Sequence, residues 1–270
     1  MSVFVRIVLL KMYTTGRTKI SEIKYITEIA SSHMGNYDDL DFLSREHVKT
    51  ESHFLKYQIF KTKNLMKKTS PLFNFYKKLE IPYNKWKKII KKFSKRTNLI
   101  LEPFDSESYK FCKKFKKNVF IKISTSECNN IELITDAIKN FKKIFINFSG
   151  LKEGDIRKIL SIKKILENKK KIIPMYGFQS FPTNKKNLRL DLFYFFKKKK
   201  FNSGYSDHTR HGISNELINT CKFIVYDKCK YLEKHVCIDL KRRPIDYETS
   251  INIKDFNLFI KKIKKKNTTT

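Results

Sequence analysis

Short apolar segments alternate with longer amphipathic segments along most of this chain. Eight apolar segments are predicted as strands: Tyr25–Ala30, Phe54–Phe60, Leu99–Glu102, Val119–Ile123, Ile144–Asn147, Ile172–Tyr176, Gly204–Ser206 with the residues before it, and Tyr231–His235. The helical patterns between them include Asp38–Thr50, Tyr83–Ser94, Ser106–Lys114, Asn130–Asn140, Glu153–Asn168 and Ile213–Lys222, with Ser106 and Asn130 at N-cap positions. Since no Pro/Gly/Ser-rich linker interrupts the alternation, it indicates one α/β domain with a parallel sheet.

Two architectures fit this alternation, a closed barrel and an open doubly wound sheet. A closed (β/α)₈ TIM barrel takes about 250 residues, which is nearly the whole chain of 270 residues. An open sheet would place a glycine-rich phosphate turn after its first strand, whereas residues 29–33 read Ile-Ala-Ser-Ser-His. The sequence therefore predicts a barrel over residues 23–266, an N-terminal extension over residues 1–22 and a tail over residues 267–270.

The formal net charge of +33 suggests a polyanionic partner at first sight. Only nine of the 59 basic residues are arginines, however, and alanine occurs only twice. The abundant Lys, Ile, Asn and Phe share A/T-rich codons, so codon bias accounts for the basicity. The chain also has no zinc-finger spacing, aromatic RNA-binding strand or heptad array. We therefore expect no specific nucleic-acid partner.

Cysteine usage and the N-terminal hydropathy bear on the compartment. Five cysteines, an odd number without CxxC spacing, argue against a disulfide framework and favour a reducing compartment. The apolar run Val3–Leu10 is too short to cross a bilayer, and no small-residue cleavage site follows it. We expect a cytoplasmic protein without a membrane partner.

Polar side chains stand at the carboxyl end of nearly every predicted strand. In a barrel these ends open into one shared site, so the pattern predicts an active site there. In chain order they are Glu28, His33, Lys56, Gln58, Asp105, Lys122, Thr125, Glu127, residues 147–150, Gln179, Ser206, Asp207, His208, Glu233 and His235.

Six segments carry a family resemblance in the family's order. They read TEIASSHMGN (27–36), KYQIF (56–60), PFD (103–105), KISTSECNN (122–130), GYSDHT (204–209) and EKH (233–235). The chain thereby resembles the N-acetylneuraminate (sialic acid) synthase family over roughly residues 24–265, with the fifth and sixth segments together the most specific.

The resemblance implies a (β/α)₈ barrel that condenses phosphoenolpyruvate with the open-chain aldehyde of an N-acylated amino sugar. The products would be a 2-keto-3-deoxy sugar acid of the nonulosonic type and inorganic phosphate. It also implies a divalent metal, Mn²⁺ or Mg²⁺, held by His208 and His235, which would polarise the aldehyde oxygen.

The resemblance further assigns roles to the remaining residues. Lys56 and Lys122 would bind the phosphate and carboxylate of phosphoenolpyruvate. Glu28 would orient or activate the attacking water, and Glu127 would bind sugar hydroxyls. The other substrate-binding positions are Gln58, Thr125, Ser149, Gly150, Gln179, Phe181, Ser206, Asp207, Glu233 and Asp246.

The chain also departs from the family's pattern. The family continues into a small antifreeze-like domain that lends an arginine to the neighbouring subunit's sugar site, and these residues do not include it. The departures suggest the same reaction on a different acceptor, or a separate chain that supplies the missing domain and completes the sugar pocket. A homodimer is only weakly implied. Gln179 replaces a short polar residue, and Phe181 replaces a tyrosine that contacts the sugar. Residues 243–247 and 147–151 match their motifs loosely. The acceptor sugar therefore stays open.

Two rival interpretations remain. Another metal-dependent barrel enzyme, such as an aldolase or a hydrolase, could use the same strand ends, and Lys56 or Lys122 could serve as a Schiff-base lysine. A basic binding protein without catalysis is the second rival. Phosphate release that depends on phosphoenolpyruvate would discriminate both from the condensing enzyme.

Overall fold

Eight parallel strands close into a barrel in the computed structural model, which describes residues 23–177, 182–183, 188–226 and 229–265. The strands are β1 (Lys24–Glu28), β2 (Phe54–Ile59), β3 (Asn98–Pro103), β4 (Val119–Ile123), β5 (Ile144–Asn147), β6 (Ile172–Tyr176), β7 (Gly204–Asp207) and β8 (Tyr231–Cys237). Each strand pairs in parallel with the next, and β1 also pairs with β8 from Lys24↔Tyr231 to Glu28↔His235. This closure confirms the predicted (β/α)₈ barrel and excludes the open sheet.

Helices surround the strands. They are α1 (Tyr37–Val48), α2 (Thr62–Leu65), α3 (Phe73–Leu79), α4 (Tyr83–Phe93), α5 (Ser106–Lys113), α6 (Ile131–Asn140), α7 (Glu153–Ser161), α8 (Lys163–Glu167), α9 (Leu190–Lys198), α10 (Asn215–Tyr226) and α11 (Phe256–Lys264). A short ninth strand, β9 (Ser250–Asn252), pairs in parallel with the last residues of β8, where β1 has ended. None of the helices in the described ranges is long and apolar enough to cross a membrane.

Two local expectations need correction, and a third is confirmed. The predicted helix over residues 153–168 divides into α7 and α8, because Ile162 has an extended backbone (φ −60°, ψ 124°). Ser106 is the first residue of α5 and not its cap, since the Asp105 carboxylate accepts the Ser108 N–H at 2.9 Å. Asn130 caps α6 as predicted, with its side chain accepting the Leu133 N–H at 3.0 Å. The barrel itself is unaffected by these changes.

Apolar side chains form two clusters, one between the strands and the helices and a smaller one inside the barrel. The inner cluster fills the amino-terminal end of the barrel with Ile26, Phe54, Ile100, Phe145, Ile173, Met175 and Tyr231. Because side chains alternate along a strand, the residue two positions after each of these also points into the barrel. Three of those next residues are Glu28, Lys56 and Glu102, and with them the interior changes from apolar to charged.

Candidate active site

A layer of buried charged side chains lies on the inner apolar cluster. Lys56 of β2 is 2% exposed and donates to Glu102 of β3 at 2.6 Å and to Glu233 of β8 at 3.2 Å. Its ammonium group also forms an ion pair with Glu28 of β1. Burial lowers the pKa of Lys56, and the carboxylates of Glu102 and Glu233 oppose that shift.

The second buried lysine, Lys122 of β4, shares Glu233 with Lys56. Its ammonium group donates to Glu233 Oε1 at 2.7 Å and lies 3.8 Å from Glu102 Oε1. Burial alone would lower the pKa of Lys122, but Glu102 and Glu233 raise it above its usual value. Burial would likewise raise the pKa of Glu233, and the two lysines lower it instead. Two ammonium groups and three carboxylates therefore make one buried network with a formal charge of −1.

Two histidines lie at the ends of the neighbouring strands β7 and β8. The rings of His208 and His235 are 5.2 Å apart between centroids, and both side chains line the same cavity. Burial lowers the pKa of His208 to about 4 and that of His235 well below its usual value. Both imidazoles are therefore neutral at pH 7, which is the form that binds a metal ion.

A buried ion pair fixes the strands that carry these histidines. Asp207 and Lys234 are paired residues of β7 and β8, each immediately before a histidine. Lys234 Nζ donates to Asp207 Oδ2 at 2.6 Å and to the Thr209 carbonyl at 3.1 Å, and neither charged side chain is exposed. Asp207, predicted to bind substrate, is thus used inside the barrel wall and orients the ends of both strands.

The cavity above the charged layer has a volume of about 350 Å³. Both polar and apolar residues line it. The polar residues are Ser31, Lys56, Gln58, Glu102, Lys122, Ser124, Thr125, Ser126, Asn147, His208, Glu233, His235 and Asp246. The apolar residues, here called the apolar wall, are Phe60, Leu65, Phe75, Tyr76, Leu79, Phe104 and Ile245. An amphipathic ligand would match this composition.

Eight of the predicted site residues line this cavity together: Lys56, Gln58, Lys122, Thr125, His208, Glu233, His235 and Asp246. Asp246 has a left-handed backbone (φ 65°) that turns its side chain toward the cavity after β8. Burial raises the pKa of this carboxyl group to about 6, although the Ser31 N–H and Lys56 oppose the shift. The side chain is therefore close to half protonated near pH 6.

Other predicted residues lie outside the walls of the cavity as the described residues form it. Glu28 is fully buried and accepts the Ala30 N–H at 2.7 Å, so it reaches the cavity only through Lys56. Ser206 donates to Glu233 at 3.2 Å inside the barrel. Glu127 accepts from Asn130 at the start of α6, at 2.9 Å. None of these three side chains is among the described residues that line the cavity, and their contacts with water or substrate stay predictions.

Four further predicted residues belong to the segments after β5 and β6. Ser149 donates to the Asn147 side chain, and its carbonyl accepts from Arg189 at 2.8 Å. Gly150 follows as an exposed residue beside the Thr125 methyl group. Both lie beside the cavity wall formed by Thr125 and Asn147. Gln179 and Phe181 lie outside the described residues.

The segment that carries most of the apolar wall is anchored at both ends. Asp105, which the sequence placed in the shared site, accepts the Lys61 N–H at 2.8 Å while it caps α5. Glu80 accepts from the Lys61 ammonium group at 2.9 Å and from the Thr62 N–H at 3.0 Å. These hydrogen bonds hold residues 60–81, with α2 and α3, against the cavity.

Sequence reasoning missed two charged residues and the apolar wall. Glu102 lies two positions after Ile100 on β3, as Lys56 lies two positions after Phe54 on β2. Side chains alternate along a strand, so this spacing predicts that Glu102 points into the barrel. Lys234 is the middle residue of the EKH segment (233–235), and the sequence alone assigned it no role. Residues 60–81 have no strong helical periodicity, and only tertiary contacts place them at the site.

The fold and the site together define a class: a (β/α)₈ barrel whose carboxyl-terminal end holds two buried lysines and two neutral histidines in one cavity. The sequence profile of the NeuB family matches residues 42–270, and the chain belongs to that family.

Known proteins resemble the chain in fold over most of its length. A sialic acid synthetase from Leptospira borgpetersenii, solved with citrate, gives a TM-score of 0.78 at 20% identity over 93% of this chain and 86% of that chain. A structure described as spore coat polysaccharide biosynthesis protein E from Chromobacterium violaceum gives 0.75 at 19% identity over 89% and 74%. An uncharacterised protein of Methanocaldococcus jannaschii is 24% identical over 88% of this chain and 69% of its own length.

Proposed function

We propose that the protein condenses phosphoenolpyruvate with the aldehyde of an N-acylated amino sugar. The products are a 2-keto-3-deoxy sugar acid of the nonulosonic type and inorganic phosphate. One observation carries the proposal: Lys56, Lys122, His208 and His235, from four different strands, meet in one cavity of a NeuB-family barrel. A sialic acid synthetase is among the structures with the same fold.

The chemistry follows from the polar residues that line the cavity. Lys56 and Lys122 are the cations available to the phosphate and carboxylate of phosphoenolpyruvate. The methylene carbon of phosphoenolpyruvate bonds to the aldehyde carbon, and the aldehyde oxygen takes up a proton. Water then adds to the carbon that bears the phosphate, and loss of phosphate leaves the keto group. One water molecule is consumed for each phosphate released.

His208 and His235 fit a divalent metal ion such as Mn²⁺ or Mg²⁺. Both imidazoles are neutral, adjacent and open to the cavity, and the buried network beside them has a formal charge of −1. Among the described residues no group of three or more His, Cys, Asp or Glu side chains is arranged to hold a metal ion, so water and substrate oxygens would complete the coordination. A bound divalent ion would polarise the aldehyde oxygen.

Glu28 acts as a positioning residue in this proposal. Its carboxylate is paired with the ammonium group of Lys56, and it has no exposed surface of its own. Gln58 and Asp246 line the cavity, and we assign them to the sugar. The apolar wall lines the same cavity and suits the acyl group of the acceptor.

A Schiff-base aldolase fits the geometry less well. Such an enzyme needs an unprotonated lysine amine. The carboxylates of Glu102 and Glu233 raise the pKa of Lys122 and so keep it charged. The pKa of Lys56 is lowered by burial, so Lys56 is the better Schiff-base candidate of the two, although its three carboxylate partners oppose the loss of its proton.

The test is phosphate release from phosphoenolpyruvate in the presence of Mn²⁺ and a panel of N-acyl hexosamines. We expect release that depends on one of the sugars and that the His208→Ala/His235→Ala variant loses by at least about a hundredfold. His211→Ala is the matched control, because His211 is exposed and does not line the cavity.

Two results would contradict the proposal. One is the absence of sugar-dependent release from folded protein that binds Mn²⁺, since this would indicate different chemistry or an acceptor outside the panel's class. The other is full activity of the double variant, which would show that the histidines do not take part.

A further inference from the structure

Glu102 occupies the position between the two lysines that an anionic ligand would take. Its Oε2 atom accepts from Lys56 at 2.6 Å, and its Oε1 atom lies 3.8 Å from Lys122 Nζ. One carboxylate thus bridges both cations, as a substrate carboxylate or phosphate would. The side chain is 3% exposed and forms part of the cavity wall, so it lies at the boundary between the charged layer and the ligand space.

The charge of the buried network affects how strongly the two lysines can bind an anion. Lys56 and Lys122 already have Glu28, Glu102 and Glu233 as partners, which leaves no net positive charge for phosphoenolpyruvate. Two like charges about 4 Å apart repel strongly in a partly buried site. Glu28 does not line the cavity. Glu233 lines it as Glu102 does, but Glu233 accepts from Lys56, Lys122 and Ser206, whereas the hydrogen bond of Glu102 comes from Lys56. Glu102 is therefore the less firmly held of the two carboxylates at the cavity boundary.

We infer that Glu102 is a built-in competitor for the anionic substrate. In the empty protein its carboxylate neutralises the two buried lysines; when phosphoenolpyruvate binds, the Glu102 side chain rotates away from Lys56 and the substrate anion replaces it. Return of Glu102 to the lysines then favours the release of product phosphate. The inference rests on the proposed function, because it presupposes that the lysines bind the substrate anion.

The test compares anion affinities by isothermal titration calorimetry at a fixed Mn²⁺ concentration. The probes are phosphoenolpyruvate and inorganic phosphate, and the proteins are the wild type, Glu102→Gln and Glu132→Gln. Glutamine keeps the shape of the side chain and removes its charge. Glu132→Gln removes the same charge from an exposed position on α6. We expect the Kd of both anions to fall at least about tenfold in Glu102→Gln and to change less than about twofold in Glu132→Gln.

The outcomes separate the two hypotheses. If wild type binds phosphoenolpyruvate and Glu102→Gln binds it equally or more weakly, the competitor role is wrong while the proposed function stands. If no protein binds phosphoenolpyruvate, the proposed function fails and the inference falls with it.

A second measurement does not depend on the folding of the variant. A crystal structure of the wild type with phosphoenolpyruvate should show the Glu102 carboxylate beyond hydrogen-bonding distance of Lys56. Retention of the 2.6 Å contact beside the bound anion would overturn the inference.

Discussion

Replacing Lys234 by methionine removes the positive partner of Asp207 from the interior of the barrel. Methionine is nearly as long as lysine and apolar, so the packing is largely retained. What is lost is a charge-assisted hydrogen bond of 2.6 Å and a second bond of 3.1 Å to the Thr209 carbonyl. What remains is a carboxylate with no exposed surface and no countercharge in contact.

The expected magnitude follows from that uncompensated charge. Breaking a buried ion pair by removing one partner typically lowers the free energy of unfolding by about 3–5 kcal/mol. The Thr209 hydroxyl still donates to Asp207 at 2.9 Å, which partly solvates the carboxylate and places the expected loss near 3 kcal/mol. This corresponds to roughly a hundredfold change in the ratio of folded to unfolded protein.

The assay is urea-induced unfolding at pH 7.5, followed by far-ultraviolet circular dichroism. The double variant Asp207→Asn/Lys234→Met should recover most of the loss, to within about 1.5 kcal/mol of the wild type, because it leaves no buried charge. Lys139→Met, on the exposed face of α6, should change the free energy of unfolding by less than about 0.5 kcal/mol.

A loss below about 1 kcal/mol for Lys234→Met would refute this reasoning, as would a double variant no more stable than the single one. The affinity for Mn²⁺ provides a second readout, because the ion pair immediately precedes His208 and His235. We expect it to fall in Lys234→Met and to stay unchanged in Lys139→Met.

Two further predictions concern the anchoring of residues 60–81. Gly35→Ala should lower the free energy of unfolding by at least about 2 kcal/mol. Gly35 has a φ of +76°, and an added Cβ would lie within 2 Å of the Lys78 carbonyl oxygen. An unchanged urea midpoint would contradict this prediction. Glu80 has its pKa lowered to about 2: burial would raise it, and hydrogen bonds from Thr62 and Lys61 prevail. Its stabilisation is therefore fully present above about pH 5 and is lost as the pH falls toward 2. Allowing for solvent screening, Glu80→Gln should lower the free energy of unfolding by about 1 kcal/mol at pH 7. In urea titrations at progressively lower pH, the difference between the variant and the wild type should shrink. A constant difference would show that the ionisation of Glu80 is not involved.

The barrel was predictable because its strands are short apolar runs of a type that parallel sheets require. All eight predicted strands are present, with ends that differ by one or two residues. The break between α7 and α8 at Ile162 was not predictable, since the apolar periodicity continues through it. Helices α2 and α3 were missed because their position depends on the contacts of Glu80 and Asp105 with Lys61 and Thr62, which join residues far apart in the chain.

The candidate site was predictable as a set of positions but only partly as a set of roles. Strand ends fixed where Lys56, Lys122 and the two histidines would meet. They could not reveal that each lysine is already paired, because Glu102 and Glu233 come from strands far apart in the sequence. Glu28 likewise was expected in contact with water, whereas it is completely buried between β2 and β8 and paired with Lys56.

The closure of β1 on β8 has a consequence for how the protein folds. The paired residues of these strands lie more than two hundred positions apart in the chain, and His235 is paired with Glu28 in that same seam. Contacts of such long range form late, because a large loop must close before they contribute. During synthesis, β1 to β7 emerge before the strand that completes the barrel, and one edge of β1 then exposes unpaired backbone groups. We therefore expect the assembly of the site to coincide with the slowest folding phase, and nascent or C-terminally truncated chains to depend on chaperones.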